Sequence, residues 1–486
     1  MSRVRRALPD VVATIVIAAA IFVVFGHSFL NYDTFYTLVW GDDLVSGRTP
    51  DYEVSVAPTP HPLASLVGAA VSPLGDGAED VLLAIVLLAI GAIGVALFRL
   101  GQTLYAWPIG LLAAAIILTR QPVLNFGIRG YVDLPTVALI LWAAVLEARR
   151  KRRGWPVLAL LAVAGLLRPE AWLFAVAYWL WLAPPLDWPE RLRLAALAVA
   201  APLLWAFSDL LITGDALFSL HGTSDLAAEL ERPTGLGNVP EYLPRRLGEI
   251  LRLPELIAAT AGCAAGLVWM RRRTLLPLAV ATLNGIAFVC FAAGGLSLLP
   301  RYLFLAASML ALFAALAALG WTALDRTEPG ESPTRSRPPW LRRAWQLGGG
   351  LVIVAMLALV PQQFDRLRDL RNDIAKRDRI QADLRDLVRS DHGEDALAAC
   401  RPLYVPNHRP VPSLAYWLER RPEQIVSAQL ERPSAAGAFL APASAEVERL
   451  SILDKNDPKR LDAEVPRGYR LVARNRSWLL YAGCAG

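Results

Sequence analysis

Charge is scarce in this chain of 486 residues: Asp, Glu, Lys and Arg make up 19% of it, against about 25% in an ordinary soluble domain. With 55% hydrophobic residues and a mean hydropathy of +0.40, that shortage argues against a wholly soluble protein. Lysine is scarcer still. It occurs only at 151, 376, 455 and 459, so the cations are almost all arginine, which we read as codon bias. Cysteine is limited to four positions, 263, 290, 400 and 484. Neither CxxC nor HExxH occurs, and no cysteine pair has metal-ligand spacing, which speaks against a metal site built from these residues. Internal repeats are also missing.

What charge there is lies unevenly. From residue 362 onward 39 of 125 residues are charged, against 53 of the 361 before. The chain therefore divides into a membrane part, 1–362, and a water-soluble module, 363–486. A net charge of +6 would raise nucleic acid as a partner, but the basic residues sit in short clusters between apolar runs, so no nucleic-acid partner is expected. The start MSRVRRALPD with the apolar run 11–25 has the look of a signal peptide. Because many further spans follow, it is read as a retained first transmembrane helix.

Apolar stretches fall near 10–30, 81–98, 104–119, 132–147, 155–167, 171–183, 194–212, 255–270, 274–293, 302–322 and 346–361, giving an expectation of about eleven transmembrane helices. With a cytoplasmic N-terminus, Arg99, the run 149–153, Arg191, Arg193, the run 271–273, Arg342 and Arg343 all fall inside, as the positive-inside rule asks. The expectation is a multi-pass protein of the cell membrane whose tail is extracytoplasmic.

Two of the outer loops are long, 31–80 and 213–254, and loops of that length usually carry function. Residues 61–73 are apolar but too short to span, so they should lie along the interface or re-enter. The stretch 324–340, rich in Pro, Ser and Thr, reads as a flexible linker. In the tail, 364–390 has helical spacing and is followed by strand-like runs at 403–405, 424–427, 437–440, 469–473 and 478–482, with helices at 412–420 and 444–452. A small α/β domain follows from that alternation. Cys400 precedes its first strand and Cys484 follows its last. If those strands are neighbours, the pair can close a disulfide in an oxidising compartment.

The candidate chemistry begins in the first outer loop. Asp33 follows Asn31-Tyr32 at a span end and leads through a helical turn to Asp42-Asp43, Gly47-Arg48-Thr49-Pro50 and then His61-Pro62. Three later positions add Arg129-Gly-Tyr131-Val-Asp133-Leu-Pro135, Arg168-Pro169-Glu170 and Pro300-Arg301-Tyr302-Leu303. In this order the motifs resemble those of the GT-C membrane glycosyltransferases, including the protein mannosyltransferase and aminoarabinose transferase relatives, over about residues 10–320. One departure is Thr34, which stands where many relatives have Glu. The tail matches no family.

The resemblance implies a GT-C-like fold and an inverting transfer of a sugar, hexose or pentose, from a polyprenyl-phosphate donor. The acceptor is a glycan, lipid or protein on the outer face. Displacement at an anomeric carbon needs a carboxylate beside the nucleophile and cations for the departing phosphate. Asp33 is the expected base and Asp133 a second acidic candidate. Arg301, and after it Arg168 and Arg129, are the expected phosphate contacts, with Asp42, Asp43, His61, Glu170 and Tyr302 as further substrate-binding candidates. A divalent cation, Mg or Mn, held by Asp42, Asp43 and Asp133 is compatible with the sequence, which does not decide whether a metal is used. Two rival classes are a lipid or solute transporter and a membrane-anchored binding module. The absence of repeats and the placing of ionisable groups at span ends weigh against the transporter.

Overall fold

A computed structural model describes residues 3–326, 338–452 and 464–484. The linker expected at 324–340 lies for the most part outside them. The membrane part is all helix, and its helix starts follow a simple rule. Trp107-Pro108, Gln121-Pro122, Trp155-Pro156, Trp188-Pro189 and Leu253-Pro254 each open a helix with proline in its first turn. There the missing N–H has no partner to lose and φ is already set.

Each of the eleven apolar stretches falls on helix, but they are not eleven equal spans. Six helices among the described residues are long and apolar enough to cross a membrane, and eight if two bent pairs each count as one. The helices Trp155–Gly165 and Glu170–Leu182 have 11 and 13 residues. At 1.5 Å per residue they rise only about 17 and 20 Å, short of a hydrocarbon layer about 30 Å thick. The last helix overshoots instead, running 49 residues from Trp340 to Val388. The change in composition near 362 therefore falls inside one continuous rod.

The bent pairs are Trp107–Leu118 with Gln121–Ile128, at 65°, and Leu236–Ile250 with Leu253–Trp269, at 105°. One polar knot holds both breaks. Arg120 donates from Nη1 to Glu255 Oε1 at 3.0 Å and from Nε to the Ile116 carbonyl at 3.0 Å. Gln363, on the long last helix, donates to the Thr119 carbonyl and accepts from Arg252. Backbone groups freed by the breaks are thereby paired where water is scarce.

The arginine-rich turns gather at one end of the bundle. Asp10 pairs with Arg99 at 2.6 Å and Arg149 at 3.8 Å, and Glu147 accepts from the backbone N–H groups of Arg152 and Arg153. Arg273 and Arg326 donate to the carbonyls of Arg326 and Gln102. The loop 31–80 and the tail lie at the other end. There the helices Tyr32–Val45 and Pro62–Val71 cross so closely that a Cβ on Gly68 would sit 2.0 Å from the Thr37 carbonyl oxygen. The segment 61–73 thus forms a short helix lying against its own loop.

In the tail five strands, β1 (Leu403–Val405), β2 (Ile425–Ser427), β3 (Ala438–Pro442), β4 (Arg470–Arg474) and β5 (Trp478–Ala482), form one sheet in the order β2-β1-β3-β5-β4. β2 and β3 run parallel to β1, and β5 runs antiparallel to both β3 and β4. Val411–Trp417 is the helix between β1 and β2. Its Trp417 packs edge-on against Phe35 of the first loop at 5.5 Å, so loop and tail share a single apolar core with Leu384, Leu403 and Trp478. Cys400 and Cys484 form the expected disulfide, although β1 and β5 are not neighbours. They flank β3 with opposite directions relative to it, so the start of β1 and the end of β5 meet at the same end of β3, where the Gly483 N–H bonds the Gly437 carbonyl.

Candidate active site

Between the tail and the ends of the helices nearest it lies a cavity of about 860 Å³. Seven of the ten sequence candidates line it: Asp33, His61, Arg129, Arg168, Glu170, Arg301 and Tyr302.

Asp33 sits in the first turn of Tyr32–Val45, but it does not cap that helix. Asn31 does, accepting from the N–H groups of Asp33 at 2.8 Å and Thr34 at 3.3 Å. Asn31 also donates to the Arg129 carbonyl at 2.7 Å, and Thr34 Oγ1 donates to the Gly130 carbonyl at 2.8 Å. Gly130 has φ +74, a region costly for other residues. This turn therefore fixes the helix start and sets Asp33 at the cavity, its side chain 29% exposed.

Arg301 lies in the 3-10 turn Pro300–Leu303 that precedes Phe304–Leu319. The buried Asn284 braces that junction by donating to the Tyr302 carbonyl and accepting from the Ala306 N–H. Arg301 Nη1 donates to Asp33 Oδ2 at 3.0 Å and lies 3.9 Å from Asp133 Oδ2. Arg168 Nη1 is 3.0 Å from Asp133 Oδ1, and its Nε donates to Glu170 Oε1 at 2.9 Å. Arg168 also stacks 4.6 Å above the Tyr302 ring. The result is a chain of alternating charge, Asp33–Arg301–Asp133–Arg168–Glu170. Alternation offsets the desolvation of charges this buried, the Asp133 side chain being 2% and that of Arg168 6% exposed. Arg301 Nε and Glu170 Oε2 have no hydrogen-bond partner among the described residues, so the chain keeps a donor and an acceptor unused.

Asp133 stands behind the two guanidinium groups and does not line the cavity. Asp42 and Asp43 are not there either. They sit at the opposite end of their helix, held by Arg48 at 2.9 and 2.8 Å. The three carboxylates named for a divalent cation are thus split between two sites and already paired with arginine. Among the described residues no group of three or more His, Cys, Asp or Glu side chains is placed to hold a metal.

His61 lines the cavity edge-on to Trp205 at 5.6 Å, with Nδ1 buried and without a hydrogen-bond partner among the described residues. Burial first, then the nearby Arg168 and Arg301, hold its imidazole well below the usual histidine range. It is neutral at pH 7 and can accept or donate a hydrogen bond there.

Sequence reasoning missed the wall contributed by the tail and the last helix, with Arg377, His408 and Arg409, and it missed Asp209, which accepts from the Ser219 N–H and hydroxyl beside Trp205. Arg377 is one of many charges in 364–390, and no local pattern separates it from its solvated neighbours.

No protein-family model matches the chain, and no curated protein matches it by sequence. Among solved structures, it superposes on ArnT from Cupriavidus metallidurans bound to undecaprenyl phosphate with a TM-score of 0.57, at 14% identity and over 98% of both chains. The apo state of that protein gives 0.51 at 15% identity, again over 98% of both. Against the archaeal oligosaccharyltransferase AglB from Archaeoglobus fulgidus, with 88% of this chain and 65% of that one covered at 13% identity, the TM-score is 0.48, too low to carry a shared fold. The resemblance read in the ordered motifs is thereby borne out at the level of fold: the chain shares the fold of that solved ArnT structure over nearly its whole length.

Proposed function

We propose that the protein transfers a sugar from a polyprenyl-phosphate donor to an acceptor at the extracytoplasmic face, with Asp33 as the base. The observation that carries this reading is the cavity-facing Asp33 held by Arg301 within the alternating ion chain. An inverting displacement needs a carboxylate that takes the proton of the acceptor nucleophile, and a neighbouring guanidinium holds that carboxylate in place. Arg301 still has an unused Nε donor with which to stabilise the leaving phosphate. Asp133, buried between Arg301 and Arg168, positions both cations rather than meeting substrate. The neutral His61, Glu170 and Tyr302 are left to contact the sugar or acceptor.

That ArnT has been crystallised with undecaprenyl phosphate supports the donor class. Topology supports the face. The arginine-rich turns lie at the end of the bundle opposite the cavity, and the positive-inside rule assigns that end to the cytoplasm.

The test uses purified Asp33→Asn with a panel of polyprenyl-phosphate sugars. Because Asn31 provides the cap, the helix should keep its stability while transfer falls about 100-fold or more. Transfer at the parental rate would remove Asp33 as the base.

A further inference from the structure

The same cavity has a second charged wall with a different balance. Arg377 of the last helix, Arg129 from the turn before Asp133 and Arg409 from the loop after β1 come together there. In the ion chain around Arg301, three carboxylates meet two guanidinium groups. In this wall Arg377 feels the positive charges of both Arg129 and Arg409. Among the described residues, neither Arg129 nor Arg377 has a carboxylate within ion-pair distance. Asp373, one turn before Arg377, acts on it only from an exposed position. Arg129 rests over the rings of Phe29 and Tyr131 at 5.6 and 5.4 Å, and its buried Nε has no hydrogen-bond partner among the described residues.

Like charges held together in a partly desolvated wall repel, and an anion placed among them relieves that repulsion. Guanidinium groups add a planar fork of donors that matches a phosphate oxygen pair, and Arg129 retains such donors. The three residues come from three separate parts of the fold, so helical periodicity does not account for their meeting.

We propose that Arg129, Arg377 and Arg409 form a second oxyanion subsite, beside the ion chain of Arg301, that holds a phosphate-type group of a substrate. Two of its three cations, Arg377 and Arg409, come from the chain beyond residue 362. The identity of that substrate rests on the proposed transfer reaction, but the binding does not. Two sources share this chemistry: the phosphate of the lipid carrier, and an anionic group on the acceptor.

The experiment uses the full chain in nanodiscs of phosphatidylcholine, with undecaprenyl phosphate, its neutral counterpart undecaprenol and inorganic pyrophosphate as probes. Arg129→Gln and Arg377→Gln should each weaken anion binding about tenfold and flatten its salt dependence. Undecaprenol binding should stay unchanged, and Arg377→Lys should lose less than Arg377→Gln. Weakened undecaprenyl phosphate assigns the subsite to the carrier. Weakened pyrophosphate with undecaprenyl phosphate unchanged assigns it to an anionic acceptor. Parental affinity for both probes, in variants that keep the parental melting temperature, overturns the proposal. Arg409→Gln repeats the test from the tail, should a bundle variant fail to fold. Asp33→Asn separates the two proposals: if it transfers sugar normally while Arg377→Gln has lost anion binding, the reaction assignment fails and the subsite stands.

Discussion

The two ends of the helix Tyr32–Val45 carry the same residue type in opposite circumstances. At its C-terminal end Asp42 and Asp43 meet Arg48, five or six residues on, in a clasp that also takes in the Ser72 hydroxyl at 2.7 Å. At its N-terminal end Asp33 meets Arg301, which is 268 residues away in the chain. A clasp between near neighbours serves the turn that it closes, here Ser46-Gly47 with Gly47 at φ +68. A remote pair on a cavity wall brings distant elements to one point, and it is there that a reacting group can be held from several sides.

The strongest way to break this comparison is to remove the carboxylate between the two buried arginines. Asp133→Ala leaves Arg168 and Arg301 short of an opposing charge and should destabilise the protein by about 3–5 kcal/mol. Loss of transfer should accompany it, and thermal unfolding in detergent measures the first part. Parental stability would show that Asp133 is not the keystone of the ion chain.

Next comes the tail on which the helix rests. Opening the Cys400–Cys484 bridge with Cys400→Ser and Cys484→Ser frees a loop with a sequence separation of 84. By loop entropy this should cost up to about 4 kcal/mol. Since Trp417 packs on Phe35, hydrogen exchange should rise in Tyr32–Val45 as well as in the tail. Protection lost in the tail alone would uncouple the two.

For Asp33→Asn the expected 100-fold loss of transfer corresponds to about 2.7 kcal/mol of barrier, without loss of stability. At the far end of the helix the same change should do little. Asp42→Asn weakens one exposed ion pair, an effect below about 1 kcal/mol, and transfer should stay parental. A large loss of activity there would erase the difference between the two ends.

A smaller, pH-dependent effect belongs to the outer end. Glu423 of the tail hydrogen-bonds Asp51 of the first loop, and that contact pushes its carboxyl up to about 7. A pKa raised on folding contributes stability that is complete below the unfolded value, about 4.5, and is lost as pH rises through about 7. The loop around Asp51 should therefore hold to the tail more firmly at pH 5.5 than at pH 8, as read by hydrogen exchange of residues 48–58. Glu423→Gln, which keeps the hydrogen bond without the charge, should flatten that difference.

Hydropathy and alternation are local quantities, and the features that depend on them were legible in the sequence. Every apolar stretch became helix, the five strand-like runs of the tail became its five strands within a residue or two, and the ordered motifs marked seven residues that line the cavity. Span count was less legible, because a run of apolar residues does not say whether its helix is 11 residues long or continues for 49. The sequence suggests the disulfide only if β1 and β5 are neighbours, whereas it forms across the end of β3, since strand order is a non-local matter. Partnership was out of reach altogether. Whether an arginine is neutralised, as Arg168 is by Asp133 and Glu170, or feels other arginines instead, as Arg377 does, depends on side chains delivered from distant elements. The sequence by itself thus determined which segments form apolar helices and which acidic and basic residues sit at their ends. Only the tertiary structure decided which of those charges face one another, because electrostatic interaction falls with distance in space and is indifferent to distance along the chain.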